Sequence, residues 1–205
     1  MLKNSLIILL LIIVLYFCFQ DNYVKKCNQT DGRCYQVVDD HKDQEKASEI
    51  LGQLNQFAIR LLRHLREKYI FRQEGSVDQR ASVRYLLQNY NPDNIIENKP
   101  VSSDNTSFVD DKGKIFAMCL REKKSGMHNF HSLHELEFVL LHELSHLATF
   151  SYSHELEYWR TFKFILTEAK LAGLHDPKNY AVEPFDYCSL WINYSPYFDQ
   201  RLKPL

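Results

Sequence analysis

Five residues constrain this chain more than any others: His142-Glu143-Leu144-Ser145-His146. The chain has 205 residues with 9 histidines and 13 glutamates. A His-Glu-x-x-His arrangement is then expected by chance roughly 0.025 times. The surrounding residues predict a helix. Leu133, Leu136, Leu140, Leu144 and Leu147 recur at steps of three and four, the period of an amphipathic helix. No Pro or Gly occurs from Asn129 to Ala172, so nothing punctuates it. Two histidines four apart on a helix project from one face, one turn from each other. Both imidazoles then reach one zinc ion at about 2.0–2.1 Å. Glu143, next to the first histidine, stands where a general base for a water molecule is expected.

A catalytic zinc takes three protein ligands. His142 and His146 are the first two, and His154, eight residues later, is the expected third. One straight helix cannot deliver it, because eight residues rise about 12 Å. The chain must therefore turn after the motif. Ser151 and Ser153 are N-cap residues, and a new helix starting near either places His154 in its first turn. The rival third ligand is Glu168. Glu155 and Glu157 are expected early on the following helix, where its dipole favours acidic groups. His128, His131, His134 and His175 are read as ordinary surface or core histidines.

His142-Glu143-Leu144-Ser145-His146, seven further residues, and His154-Glu155-Leu156-Glu157-Tyr158-Trp159 resemble the core of the WLM and SprT-type minimal zinc metallopeptidases, HExxH zincins. Those families show His-Glu-x-x-His, a short turn, a third His and an aromatic pair, here Tyr158-Trp159. The resemblance covers about residues 132–173, a fifth of the chain. It implies a zinc peptidase with the three histidines as ligands and Glu143 as base. The metzincin pattern is not met, because the turn has no glycine. The resemblance also suggests proteolysis of proteins crosslinked to DNA, and here the chain departs from it. Its net charge is −1 with no basic tail, whereas nucleic-acid binding needs a basic patch. Arg60, Arg63, Arg66, Lys68 and Arg72 are read as the solvated face of a helix. Nucleic acid is therefore not an expected partner; a protein or peptide substrate is.

The apolar run Leu6–Phe19 predicts an N-terminal transmembrane helix over residues 1–20, near the short limit for spanning. The bulky residues at its end argue against a cleaved signal peptide. The expected localisation is a single-pass membrane protein. Lys25, Lys26 and Arg33 after the run, against Lys3 before it, lean towards a cytoplasmic domain. The sequons at Asn28, Asn105 and Asn193 lean the other way. Of the five cysteines, Cys18 lies in the run. Cys27 and Cys34 are spaced for a small disulfide, and Cys119 and Cys188 are buried thiols or a long-range pair.

Residues 21–41 read as a polar tether, and 42–205 as one zinc-peptidase domain. A helix is predicted from Gln44 to Tyr69, with Ala47, Ile50, Leu51, Leu54, Phe57, Ala58, Leu61, Leu62 and Leu65 as its apolar stripe. Another is predicted from Gln79 to Asn89. Strands follow at Thr106–Val109 and Lys114–Leu120, joined by a turn at Asp110–Gly113. Helices 132–149 and 154–172 come next, the second closed by Gly173. The fold class is α+β, helix-rich and zincin-like, with a small sheet. Lys114, Ile115, Phe116, Ala117 and Met118 are assigned the edge strand that pairs with an extended substrate. Tyr187, in the aromatic C-terminal stretch, is the candidate oxyanion stabiliser. Two other classes remain: a membrane-tethered binding module whose structural zinc is closed by Cys188 or a carboxylate, and a zinc hydrolase acting on a non-peptide substrate in a small closed pocket.

Overall fold

A computed structural model describes residues 23–99, 106–126, 128–151 and 153–205. Its longest element, α1 (Gln44–Leu65), buries Ala47, Leu51, Leu54, Phe57, Ala58, Leu61 and Leu65 on one side. This is the predicted stripe, and it packs on the sheet and on the other helices. The helix ends in a six-residue π-helical stretch, Arg66–Phe71. After it comes α2 (Val77–Asn89), opened by a capping box between Ser76 and Gln79.

The main sheet has five strands: β1 (Tyr23–Cys27), β2 (Cys34–Val38), β3 (Ile95–Glu97), β4 (Phe108–Asp110) and β5 (Ile115–Met118), in the order β1-β2-β3-β5-β4. The β1–β2 and β4–β5 pairs are antiparallel, and β2–β3 and β3–β5 are parallel. Helices α3 (Leu133–Ala148) and α4 (Leu156–Leu171) follow, then a small antiparallel hairpin, β6 (Phe185–Tyr187) and β7 (Leu190–Ile192). The Arg121 guanidinium, fully buried, donates to Glu97 at 2.6 Å and ties the end of β5 to β3. Glu97 also accepts the Val38 N–H of β2 at 2.9 Å. One buried carboxylate thus links three neighbouring strands, and its burial is offset by a charge partner and a hydrogen bond.

Three expectations are corrected here. Residues 23–38 are a β-hairpin of the main sheet rather than a tether. Tyr35 and Val37 alternate into the core, and Cys27 faces Cys34 across the pair in a disulfide. The fold class is α+β without the expected membrane-spanning element. Among the described residues no helix is long and apolar enough to cross a membrane. The physical reason is visible in α1, which is long enough but carries Glu45, Lys46, Glu49, Arg60 and Arg63. The run Leu6–Phe19 lies outside the described residues, and the single-pass localisation and membrane partner drawn from it are withdrawn. The third correction concerns Lys114–Met118. Strand β5 is interior, paired with β3 on one side and β4 on the other, so its backbone has no free edge. Among the described residues the edge strand on this side of the sheet is β4.

Candidate metal centre

Helix α3 begins with a capping box, in which Ser132 Oγ accepts from Glu135 N–H and Glu135 reaches back to Ser132 N–H. This fixes the start of the helix and so the direction in which its fourth turn points. His142 and His146 leave the same face, as their spacing predicts. Their Nε2 atoms are 3.3 Å apart. His154 Nε2 comes to 3.2 Å from His142 Nε2. Ligands at about 2.0–2.1 Å in a tetrahedron are separated by about 3.3–3.4 Å, so these spacings fit a shared zinc ion. The three histidines form a group whose ligand atoms all lie within 4.8 Å of one another, and no other such group of three occurs among the described residues.

The turn that delivers His154 has a built support. Gly113, at φ 95°, sits where a Cβ would meet the Asn89 carbonyl oxygen at 2.3 Å. The tight turn it permits carries Lys112 to the end of α3. There Lys112 Nζ donates to Thr149 O at 3.1 Å and Phe150 O at 3.3 Å, two carbonyls at the helix C-terminus, where a cation is favoured. Helix α4 starts at Leu156, with Glu155 as N-cap. His154 therefore lies in the turn before the helix, not in its first turn as expected. Its first residues instead supply an aromatic wall. Tyr158 stacks on His146 at 4.3 Å, Trp159 stacks on His154 at 5.7 Å, and Phe162 meets His142 edge-on. Tyr158 Oη also donates to the His142 carbonyl at 3.3 Å. These contacts fix the ring orientations, as outer-shell partners of metal ligands do.

Burial holds all three imidazoles below the usual histidine range, His146 down to about 4, with the neighbouring histidines adding to the effect at His142. Neutral imidazoles present lone pairs, which is the form a metal requires. Glu143 is buried beside them, and burial pushes its carboxyl up to about 8. In the metal-free chain the two effects have opposite signs. The lowered histidines favour the fold fully above pH 6.5 and cost stability as pH falls from there towards 4. The raised Glu143 favours it below about 4.5 and costs stability as pH rises towards 8. For metal binding, the histidine shifts remove proton competition. Lowering pH from 7 to 5.5 is expected to weaken zinc binding less than about tenfold, against several hundredfold for three unshifted imidazoles. A chelator-competition series across that range checks this; a several-hundredfold loss contradicts it.

The histidines and Glu143 open into a cleft of about 340 Å³ running along α3. One side is β4, which pairs only with β5 among the described residues. None of Lys114–Met118 lines the cleft, whereas Phe108, Val109 and Asp110 do. Tyr187 reaches the cleft wall, but its hydroxyl is committed. Cys119 N–H donates to Ser107 Oγ at 2.9 Å, the Ser107 hydroxyl donates to Tyr187 Oη, and Tyr187 Oη donates to Cys119 O at 2.8 Å. In this closed cycle Tyr187 is a strut and not an oxyanion donor. Ser151 Oγ, buried at the cleft and without a partner among the described residues, is the hydroxyl left free. Glu168 is not a metal ligand. It is buried between Lys68 Nζ at 2.9 Å and His64 Nε2 at 3.0 Å, and joins α4 to α1. Cys188 cannot close a metal shell, because it is disulfide-bonded to Cys119. The strand expected at Thr106–Val109 is present as β4, but its place at the cleft, that of Ser151 and the hairpin at 185–192 were not foreseen. The alternation of Phe108 with Val109 is too short to mark an edge.

An uncharacterized protein of Acanthamoeba polyphaga mimivirus is 27% identical over 161 residues, covering 77% of this chain and 76% of its own length. An uncharacterized protein of Invertebrate iridescent virus 6 is 32% identical over 105 residues, 50% of this chain and 56% of its own. One of Invertebrate iridescent virus 3 is 31% identical over 104 residues, 51% of this chain and 62% of its own. The chain thus spans little more than half the length of the two iridescent-virus proteins. No protein family profile and no solved structure matches the chain.

Proposed function

We propose that this chain is a zinc-dependent peptidase. The observation that carries the proposal is the convergence of three imidazoles, with His146 Nε2 and His154 Nε2 at 3.3 and 3.2 Å from His142 Nε2, beside a buried glutamate and in a cleft lined by strand β4, which pairs only with β5 among the described residues. His142, His146 and His154 would hold the ion. When bound, zinc supplies Lewis acidity, polarising a carbonyl and easing ionisation of a water molecule. The rest is done by the chain. Glu143 accepts the proton of the attacking water and passes it to the leaving amine. Burial raises this carboxyl, and a neighbouring cation would favour its charged form, the form that accepts a proton. Strand β4 offers backbone N–H and C=O groups to an extended peptide.

The cleft favours hydrolysis over a purely structural metal. Cys188, the thiol that would have closed the shell, is held in a disulfide. Among the described residues no fourth Cys, His, Asp or Glu joins the group. A strand edge beside the histidines suits an extended polymer better than a small molecule. The test compares cleavage of an unstructured protein such as casein by the zinc-loaded and chelator-stripped chain. Cleavage that follows zinc supports the reading; equal or absent cleavage by the two overturns it.

A further inference from the structure

Three consecutive residues between β4 and β5 hold positive φ angles: Asp111 at 44°, Lys112 at 51° and Gly113 at 95°. Glycine adopts this region freely and aspartate tolerates it, but a lysine rarely enters it. Such outliers persist only where the surrounding structure enforces them, and they gather at functional sites. Here the turn delivers the Lys112 ammonium to the exit of the helix that carries His142 and His146.

Helix α3 ends at Ala148, and no glycine closes it. Thr149 leaves it with an extended backbone, φ −103° and ψ 144°. The carbonyls left open at such an end need other donors. Four consecutive ones receive side chains from other elements. Asn89 of α2 donates to Leu147 O at 3.0 Å, and Ser82 of α2 to Ala148 O at 3.0 Å. Lys112 Nζ takes the next two, Thr149 O and Phe150 O. The Phe150 N–H in turn donates to Glu157 of α4 at 3.3 Å. Phe150 is thus held from both sides, through its carbonyl by Lys112 and through its amide by Glu157.

Apolar burial does little for this segment. Phe150 is 68% exposed and Leu156 66%, and His154 between them is exposed as well. An edge-on contact of Phe150 with Tyr85 at 5.4 Å is its aromatic anchor. An exposed turn with few packed neighbours opens readily unless polar contacts hold it. His154 follows Phe150 by four residues, so a clamp at Phe150 limits where the third imidazole can sit. We infer that Lys112 is a positioning residue of the metal centre. It acts through the backbone of Thr149 and Phe150, holding the turn that brings His154 to His142 and His146.

This inference rests on the reading of the three histidines as zinc ligands. Its test therefore reads zinc affinity and metal-free Tm of the full chain, not turnover. Lys112→Met is expected to weaken zinc binding roughly ten- to a hundredfold, the range for groups that orient metal ligands. Lys112→Arg keeps a cation at the helix end and is expected to stay within about threefold of the parent. In a His154→Ala background, Lys112→Met is expected to weaken binding by less than about a further threefold, because the two act through one ligand. Ser82→Ala uncaps the same helix end without touching the turn; it is expected to lower the metal-free Tm and leave zinc affinity within about threefold of the parent. Parent-like affinity in Lys112→Met, no recovery in Lys112→Arg, or additive losses in the double variant would each overturn the assignment. So would an equal loss of affinity in Ser82→Ala, or a Lys112→Met chain that does not fold, since either would make the role one of general support. A parent that binds no zinc would remove the metal site and this inference together, whereas zinc binding without casein cleavage would remove only the peptidase reading.

Discussion

Glu143→Gln is expected to bind zinc as the parent does and to lose turnover by about 10²–10⁴-fold, the usual contribution of a positioned general base. The substitution keeps the shape of the side chain and removes its basicity. Glu143 is not among the three residues whose ligand atoms converge, so the metal should be unaffected. It is buried without a charge partner among the described residues, so a neutral amide is tolerated at least as well as the carboxyl it replaces. The measurement is a pair: zinc per chain and initial rates on one fluorogenic peptide. Parent-like rates would remove Glu143 from the mechanism. Loss of zinc with loss of rate would make it a structural residue of the site.

His154→Ala is the second large effect. Outer-shell partners of metal ligands typically contribute 10–100-fold to affinity, and a direct ligand contributes more. Zinc binding is therefore expected to weaken by more than about 10²-fold, with little change in thermal stability of the metal-free chain. His154 lies in an exposed turn and packs mainly on the other rings of the site, so the fold depends little on it. Glu168→Gln is the matched control. It should leave zinc in place and lower stability instead, because Glu168 holds Lys68 and His64 across α1 and α4. A chain that keeps parent affinity without His154 would show that a different group completes the site.

The parts of this molecule legible in its sequence are those that helical periodicity writes locally. His142 and His146 share a face because a helix repeats every 3.6 residues, Glu143 follows the first of them, and the leucines around them announce that helix. The stripe from Ala47 to Leu65 is legible for the same reason. What escaped depends on pairing between distant segments. Tyr35 and Val37 alternate as a strand does, but five polar-flanked residues beside an apolar run resemble a linker. Strand β3 has three residues, and its Glu97 is buried only because Arg121 arrives from 24 residues away. Its insertion between β2 and β5 turns β5 from an edge into an interior strand and leaves β4 outside. No local pattern in Lys114–Met118 reports that. The aromatic C-terminal stretch hid the hairpin at 185–192, whose place on the cleft is set by the Cys119–Cys188 bond across 69 residues. Tyr187, expected to stabilise an oxyanion, lines the cleft, but its hydroxyl is engaged by Ser107 and Cys119 from other segments.

The central claim is that three imidazoles of one chain share one zinc ion. Zinc-edge X-ray absorption of the metal-loaded protein measures it directly. Three imidazole nitrogens at about 2.0–2.1 Å without sulfur, reduced to two in His154→Ala, are the predicted result. A sulfur ligand, fewer than three imidazoles in the parent, or a parent chain that retains no zinc would contradict it.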